Sequence, residues 1–166
     1  MNVFISKEDI EKKIDELAFK ISSEHPDGLI AIGVLKGAWV FMADLIRRLT
    51  CPVYIDFIKV SSYKGKETTG EISLSFSPSI PIYKKNVLII EDIVDTGITL
   101  SYLKEYFKSK VPESLKFCCL LDKPERRKRE FIPDYIGFTI PDKFVVGYGL
   151  DCNEEYRNLP YIAVIE

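Results

Sequence analysis

The sequence has little of what metal centres and disulfide frameworks are built from. Its 166 residues include one histidine, and no two of its four cysteines are spaced as C-x-x-C. One histidine is too few for the usual mixed zinc site. We therefore interpret Cys51, Cys118, Cys119 and Cys152 as reduced, buried thiols. We interpret His25 as a solvent-facing turn residue.

The sequence also has no long apolar run and no excess of one charge. No apolar stretch approaches the roughly 20 residues that span a bilayer. Residues 1–13 do not have the basic start and apolar block of a signal peptide, so we expect a cytoplasmic protein. Lys+Arg 23 nearly balance Asp+Glu 25, and the net charge of −2 argues against a general binder of nucleic acid or membranes.

Nucleotide-hydrolase and repeat motifs are missing as well. The chain contains no G-x-x-x-x-G-K-[ST] motif, which excludes a P-loop nucleotide hydrolase. No internal repeat or low-complexity linker divides it, so we expect a single domain over residues 1–166. At 46% hydrophobic and 29% charged residues, the composition is typical of a soluble globular protein.

Strand-like apolar runs alternate with amphipathic helices as far as residue 123. The first helix begins at a capping box, Ser6-x-x-Asp9, ahead of apolar residues at helical spacing. This alternation indicates an α/β fold with a doubly wound parallel sheet. The predicted elements are helices over 6–23, 38–49 and after Asp95, and strands over 29–34, 53–60, 71–76, from 87, 115–121, 135–138, 144–148 and 161–165.

The stretch from 87 to 100, VLIIEDIVDTGITL, combines an apolar strand with acidic residues. Its four leading aliphatic residues indicate a strand that is buried on both faces, as in a parallel sheet. Glu91 and Asp92 follow that run, so we expect them at the rim of the sheet, where open α/β folds bind ligands. Carboxylates at this place suit hydroxyl groups or a metal ion.

The second half of the same stretch predicts a phosphate cradle. Thr96, Gly97 and Thr99 place hydroxyls and free backbone N–H groups at the start of a helix, a combination that suits a phosphate. Acidic groups beside a phosphate cradle indicate a sugar phosphate as the ligand.

Three further polar segments flank this stretch. Lys36-Gly37 is either a surface lysine in a tight turn or a cation beside backbone N–H groups that faces phosphate. The segment 61–70, SSYKGKETTG, is either a hairpin loop or a mobile lid. We interpret the charge run 125–130, ERRKRE, as a solvated loop and not as a nucleic-acid site, because glutamates flank its basic residues.

Several of these segments resemble one known family. VLIIEDIVDTGIT resembles the phosphoribosyl-diphosphate signature of type I phosphoribosyltransferases. Three other segments narrow the resemblance to hypoxanthine (hypoxanthine-guanine) phosphoribosyltransferases of bacterial type. They are Leu35-Lys36-Gly37, the 121–124 segment LDKP, and the 140–157 segment IPDKFVVGYGLDCNEEYR. The resemblance covers nearly the whole chain and is weakest over 64–83.

The resemblance implies an architecture and a reaction. The fold would be the type I phosphoribosyltransferase fold, with a small hood formed by the chain ends, a flexible lid loop at about 61–76 and a base-recognition and hood segment at about 123–166. The reaction of purine salvage joins hypoxanthine or guanine to the phosphoribosyl group of phosphoribosyl diphosphate, giving IMP or GMP and pyrophosphate. Mg²⁺ would be the cofactor, and the protein would be a homo-oligomer, either a dimer or a tetramer.

The resemblance also implies a role for each residue that would bind the donor substrate. Glu91 and Asp92 would hold the ribose hydroxyls and their Mg²⁺, and Asp95 would be the general base. Pyrophosphate would be bound by one set of residues and the 5′-phosphate by another. These sets are Lys36, Gly37 and Arg157 for pyrophosphate, and Asp95, Thr96, Gly97 and Thr99 for the 5′-phosphate.

The base would be recognised by the C-terminal segment. Lys123 would donate to the purine 6-oxo group, and Phe144 would stack on the ring. Val145 would offer backbone contacts, and Asp151 would lie near a second Mg²⁺ and the purine 2-position. In the lid, Ser62-Tyr63 stands where the family keeps a Ser-Tyr pair.

Two other functions fit the same fold. One is an RNA-binding regulator that keeps the phosphoribosyltransferase fold, against which the net charge of −2 and the intact base-recognition residues argue. The other is a phosphoribosyltransferase for a different base. Lys123 and the segment 140–151 argue against adenine and a pyrimidine, whereas xanthine stays open.

Overall fold

The computed structural model describes residues 1–62 and 72–165, in which strands and helices alternate along most of the chain. None of the helices described is both long enough and apolar enough to cross a membrane. The elements are β1 (Asn2–Ile5), α1 (Lys7–Glu24), β2 (Leu29–Leu35), α2 (Trp39–Ile46), β3 (Val53–Ser62), β4 (Ile72–Phe76), β5 (Asn86–Val94), α3 (Ile98–Lys108), β6 (Ser114–Asp122), a 3₁₀ turn (Pro124–Arg126), β7 (Tyr135–Thr139), β8 (Val145–Val146) and β9 (Ile162–Val164).

Six strands form the central sheet, in the order β4-β3-β2-β5-β6-β7. Every neighbouring pair from β3 to β7 is parallel, and β4 pairs antiparallel with β3 at the edge. A second sheet, β1-β9-β8, is antiparallel and joins the two ends of the chain. The predicted α/β class and parallel sheet are thus confirmed. The short and largely exposed β1 was not predicted, because it has no apolar alternation.

The helices cover both faces of the central sheet. Successive residues of a strand point to opposite faces, and along β5 they enter two different apolar clusters. Leu88 packs with Ile14 of α1 and Phe41 of α2, whereas Ile89 packs with Phe107 of α3. Since α1 and α2 lie on one face and α3 on the other, the sheet is doubly wound, as the sequence predicts.

The first helix begins and ends close to the predicted residues. The Ser6 hydroxyl accepts a hydrogen bond from the backbone N–H of Asp9 at 3.1 Å, which confirms the predicted cap. The expectation that His25 faces solvent is wrong. Its side chain is buried, and its Nδ1 lies 3.1 Å from the Ile21 carbonyl oxygen. The same carbonyl oxygen accepts the backbone N–H of His25 at 3.1 Å, so the imidazole lies folded back on the end of the helix.

The four cysteines are free thiols, as predicted, but only two of them are buried. Cys118 and Cys119 are adjacent on β6 and enter the clusters on opposite faces of the sheet. Burial raises the pKa of both thiols, so they stay protonated and apolar in character. Cys51 and Cys152 lie in connecting segments and are half-buried, so the expectation of burial is wrong for these two.

The core under α2 allows a test of the fold. Phe41 is 0% exposed, so replacing it by alanine removes a large side chain and leaves a cavity. We expect Phe41→Ala to lower the free energy of unfolding by about 3–5 kcal/mol, measured from urea midpoints at an unchanged slope. Phe19→Ala is the matched control, because Phe19 is 79% exposed, and it should change stability by no more than about 0.5 kcal/mol. Equal losses in both variants would contradict this packing.

Candidate active site

The predicted site residues come together at the carboxyl ends of the parallel strands. β2, β5 and β6 are neighbours in the sheet and run in the same direction, so the loops that follow them meet at one edge. Residues 35–37 follow β2, residues 95–97 follow β5, and residues 123–131 follow β6. The C-terminal segment 147–157 packs on the first of these loops, since a Cβ on Gly149 would lie 2.2 Å from the carbonyl oxygen of Gly37.

Two adjacent cavities open at this edge and share Asp92 and Asp151 in their lining. One has a volume of about 290 Å³, and its lining includes Gly37, Glu91, Asp92, Thr99, Asp151 and Arg157. The other has a volume of about 400 Å³, and its lining includes Asp92, Asp95, Lys123, Arg126, Phe144, Val145 and Asp151. Of the predicted site residues, Lys36, Thr96 and Gly97 line neither cavity and lie in the adjoining loops. A shared wall of two carboxylates suits two ligands that meet at that wall.

The acidic pair Glu91 and Asp92 lies within β5 and not beyond its end. The strand continues to Val94, because Ile93 pairs with Leu121 and Val94 with Asp122 of β6. Burial raises the pKa of Glu91 well above its usual value of 4.5, and the charge of Asp92 raises it further. Burial also raises the pKa of Asp92, whereas hydrogen bonds and the charge of Arg157 lower it.

Asp92 lies directly against the loop that follows β2. A Cβ on Gly37 would lie 1.7 Å from Oδ2 of Asp92, so any larger residue at 37 would displace that carboxylate. Oδ1 of Asp92 accepts the backbone N–H of Ile93 at 2.7 Å. The peptide bond between Leu35 and Lys36 is cis. Because Gly37 lies against the Asp92 carboxylate and lines the smaller cavity, the Lys36-Gly37 segment is adjacent to the acidic pair and is not an isolated surface turn.

The predicted phosphate cradle is a tight turn between β5 and α3. Gly97 precedes the helix with a φ of 78°, in the left-handed region that favours glycine. A Cβ there would also lie 2.5 Å from the carbonyl oxygen of Arg129. The Thr96 carbonyl accepts the backbone N–H groups of Lys128 and Arg129 at 2.9 and 3.0 Å. These two hydrogen bonds therefore fix the turn to the segment that follows β6.

Lys36 and Arg157 converge on one carboxylate that sequence reasoning missed. Glu154 accepts from Nζ of Lys36 at 2.5 Å and from a terminal nitrogen of Arg157 at 3.3 Å. The same nitrogen of Arg157 lies 3.0 Å from Oδ1 of Asp151. Hydrogen bonding to Lys36 lowers the pKa of Glu154, so this bridging group is ionised. The two predicted pyrophosphate cations are thus close enough to hold one anionic group together.

The predicted base-recognition residues surround the larger cavity. Lys123 is buried, and within the described residues no side chain forms an ion pair with its ammonium group. Phe144 is 56% exposed at the rim, and Val145 is buried in β8. A buried cation that lines a cavity is suited to an acceptor on a ligand.

Two arginines of the charge run 125–130 also reach the site. Arg126 donates from Nε to Oδ1 of Asp95 at 3.0 Å, and its NH1 lies 3.6 Å from Oδ2 of Asp142. Arg127 is half-buried and forms an ion pair with Asp122. The prediction of a solvated loop is therefore wrong for Arg127. The signal available in the sequence was the position of this run, directly after a buried strand at the ligand-binding edge.

The acidic residues at the site include two that lie close enough together to share a cation. Glu91 is buried and the next residue, Asp92, is half-buried. Such a donor set suits Mg²⁺, which usually takes one or two carboxylates and completes its shell with water and substrate phosphates. Within residues 1–62 and 72–165 there is no group of three or more acidic, cysteine or histidine side chains placed to hold a metal ion. The assignment of Asp151 to a second Mg²⁺ stays a prediction. The predicted lid falls largely on residues 63–71, so Tyr63 lies outside the described residues.

Comparisons with family models, curated proteins and solved structures all indicate the same family. The family model "Phosphoribosyl transferase domain" matches residues 5–153. The hypoxanthine-guanine phosphoribosyltransferase of Bacillus subtilis is 49% identical over 99% of this chain and 92% of its own length. That of Aquifex aeolicus is 42% identical over 100% of this chain and 95% of its own length. A crystal structure of the Bacillus anthracis enzyme, with 49% identity, has a TM-score of 0.95 and covers 100% of this chain and 99% of that one.

The raised pKa of Glu91 predicts how stability depends on pH. The usual pKa of 4.5 applies to the unfolded chain, so stability that is present below about pH 4.5 is lost as the pH rises through the raised folded-state value. Because glutamine does not ionise, we expect Glu91→Gln to lack this loss of stability at high pH. With a chelator present, the variant should melt at a higher temperature than the unchanged protein at about pH 7 and at the same temperature or lower at about pH 4.

Glu113→Gln serves as the control, because Glu113 is exposed and should show the pH dependence of the unchanged protein. A melting curve of Glu91→Gln that follows the unchanged protein at every pH would contradict the raised pKa.

Proposed function

Since this chain belongs to the phosphoribosyltransferase family, we infer that it is a hypoxanthine-guanine phosphoribosyltransferase, a pentosyl transferase of purine salvage. It transfers the phosphoribosyl group of phosphoribosyl diphosphate to hypoxanthine or guanine, giving IMP or GMP and pyrophosphate. The observation that supports a 6-oxopurine as the base is the position of Lys123. It is a buried cation, 7% exposed, in the wall of a cavity of about 400 Å³ that also contains Asp95 and Phe144.

The smaller cavity binds the donor substrate. As pyrophosphate leaves, its growing negative charge has to be balanced by the protein. Lys36 and Arg157 supply that charge, and their shared contact with Glu154 supports this role, because both side chains reach the same carboxylate. The guanidinium of Arg157 suits a phosphate through its forked donors. Pyrophosphate takes the place of the Glu154 carboxylate between the two cations.

The turn between β5 and α3 binds the 5′-phosphate. It has free backbone N–H groups at the start of α3 and the hydroxyls of Thr96 and Thr99, and anions bind at helix N-termini because these groups and the helix dipole favour negative charge. Gly97 permits the turn. The hydrogen bonds from the segment behind it keep the turn in place before the substrate arrives.

Glu91 and Asp92 bind the ribose hydroxyls and Mg²⁺. Their raised pKa values support this role, because two adjacent buried carboxylates gain most from a nearby positive charge. A bound Mg²⁺ supplies positive charge to hydroxyl and phosphate oxygens. Gly37 leaves room for the Asp92 carboxylate at the point where the two cavities meet.

Asp95 is the general base for the incoming purine. It lines the larger cavity together with Lys123, so a purine whose 6-oxo group lies at Lys123 also lies beside this carboxylate. Asp95 accepts a proton from one imidazole nitrogen of the purine, and the other nitrogen then attacks the ribose carbon. Arg126 donates to Oδ1 of Asp95, which leaves Oδ2 available to accept the proton.

The base is selected by a donor that only a 6-oxopurine satisfies. The ammonium group of Lys123 has hydrogens to donate and no acceptor. Adenine carries a 6-amino group, which cannot accept that hydrogen bond, and a mismatch of buried polar groups gives strong discrimination. Phe144 stacks on the base from the rim, Val145 offers its backbone, and Asp151 lies at the purine 2-position.

The proposal also includes the oligomeric state of the protein and its location in the cell. We expect a homo-oligomer, a dimer or a tetramer, in the cytoplasm, with no nucleic acid or membrane as a partner.

The decisive test is an assay with phosphoribosyl diphosphate and Mg²⁺ against hypoxanthine, guanine, xanthine and adenine in parallel. We expect nucleotide formation with hypoxanthine or guanine and none with adenine. Omission of Mg²⁺ with a chelator present should abolish turnover. Activity with xanthine alone would shift the function to a xanthine phosphoribosyltransferase, and inactivity with all four bases would sink the proposal.

Lys123 generates a prediction about base preference. We expect Lys123→Ala to raise KM for hypoxanthine by roughly 10- to 150-fold, because a hydrogen bond from a charged donor is worth about 1.5–3 kcal/mol. The ratio of kcat/KM for hypoxanthine over adenine should fall in the same variant. Lys12→Ala is the control, because Lys12 is exposed on α1. An unchanged base preference in Lys123→Ala would contradict the pairing with the 6-oxo group.

Asp95 generates a prediction about turnover. We expect Asp95→Asn to lower kcat by roughly 10²-fold or more, since general-base catalysis contributes about 10²–10⁴-fold. Asp27→Asn makes the same chemical change in an exposed turn and should leave kcat unchanged. Near-normal turnover in Asp95→Asn would remove Asp95 from the role of base.

A further inference from the structure

Arg127 is half-buried directly behind the turn between β5 and α3, where no catalytic role has been assigned. Its side chain is 16% exposed, and its ion-pair partner Asp122 at the end of β6 is 10% exposed. Leaving one member of such a buried pair without the other is strongly unfavourable. The pair is thus a fixed part of the fold, unlike the exposed pairs on the helices.

The guanidinium of Arg127 donates to backbone carbonyls from three different segments. NH1 reaches two carbonyls at the end of β5 and one just after β6, and Nε reaches one in the segment before β7. The acceptors and distances are Val94 at 3.1 Å, Asp95 at 2.9 Å, Lys123 at 3.2 Å and Phe131 at 2.9 Å. NH1 has two hydrogens for its three carbonyls, so one hydrogen is shared between two acceptors, and a planar guanidinium can in this way serve several carbonyls at once.

One nitrogen of Arg127 therefore connects the backbones of the two residues that act on the purine. NH1 donates to the carbonyl of Asp95, the proposed base, and to the carbonyl of Lys123, the proposed donor to the 6-oxo group. Lys123 also donates from its backbone N–H to the carbonyl of Val94 at 2.9 Å. The guanidinium thus adds a second connection between Asp95 and Lys123, beside the pairing of β5 with β6 and the backbone hydrogen bond to Val94.

A lysine at position 127 would not make this bridge. An ammonium group is a compact point charge with three donors, and it does not have the rigid planar fork of a guanidinium. A lysine would keep the charge opposite Asp122 but would not reach all of the carbonyls. Asp95, which lies just beyond the pairing of β5 with β6, would then lose its own hydrogen bond to this group and could shift relative to Lys123.

We propose that Arg127 is a positioning residue for proton transfer, which holds the Asp95 carboxylate in register with a purine bound at Lys123. The inference rests on the proposed function of the site. Proton transfer needs the acceptor within hydrogen-bond reach of the ring nitrogen, and a misplacement of about 1 Å can lower the rate by about 10²-fold. Arg127 acts through Asp95 and touches no substrate atom.

The test is a double-mutant cycle of Arg127→Lys and Asp95→Asn, with kcat measured at saturating substrates. We expect Arg127→Lys alone to lower kcat by roughly 10- to 100-fold. In the Asp95→Asn background the same change should lower kcat by no more than about twofold, because a misplaced base matters only while the base is present. Equal fractional losses in both backgrounds, or an unchanged kcat in Arg127→Lys, would overturn the proposal.

Two controls separate this role from general damage to the fold. Arg47→Lys makes the same change on a side chain that is 71% exposed, and it should leave kcat unchanged.

If Arg127→Lys melts below the assay temperature, Arg127→Ala is assayed below its own melting temperature with added guanidinium ion, far below denaturing concentrations. Recovery of kcat by guanidinium but not by methylammonium supports the proposal, and recovery by neither overturns it. Inactivity of the unchanged protein would instead refute the proposed function.

Discussion

The register of β5 between β2 and β6 is the constraint on which the site depends. Glu91 pairs with Cys119 and Val94 with Asp122, while Ile90 of the same strand pairs with Gly33 of β2. A slip of one residue would turn every side chain to the opposite face of the sheet. The apolar residues on both faces of β5 resist that slip, since 87–90 are all buried in the two cores. The same burial that fixes the strand also forces two carboxylates into a poorly solvated place.

The charged side chains of the site pair with one another. Glu154 lies between Lys36 and Arg157, and Arg126 pairs with Asp95. The Lys36–Glu154 and Arg126–Asp95 pairs are largely exposed on both sides, and such pairs are worth only about 0–1 kcal/mol. Substrate groups can therefore replace them at little cost. Arg127 differs, because its pair with Asp122 is largely buried and its Nε and NH1 groups donate to backbone carbonyls.

Most of the fold follows from local patterns in the sequence, whereas the roles of the base-facing residues follow from the family resemblance. The strand and helix order follows from apolar periodicity, and the acidic pair and Gly97 follow from their place at the end of a buried strand. What local patterns do not contain is contact between distant residues. Glu154 lies 118 positions from Lys36, and Arg127 lies 32 positions from Asp95. Polarity predicts exposure only on average, which is why the prediction of solvent exposure is wrong for His25 and Arg127. Each side chain is held by carbonyls that the sequence does not locate.

The chemistry of the two substrates is divided between two parts of the chain, and the structure joins them at few places. In the proposed function, the stretch from 87 to 100 binds the ribose and the 5′-phosphate and contains the proton acceptor, whereas Lys123 and the segment 144–151 select the base. Both cavities have Asp92 and Asp151 in their lining, so the two proposed substrates would meet there. Arg127 also connects the two parts of the chain, because its guanidinium donates to the backbone carbonyls of Asp95 and Lys123. The proposed function needs both connections, because the shared wall would determine where the substrates meet and the Arg127 contacts would determine where the base lies.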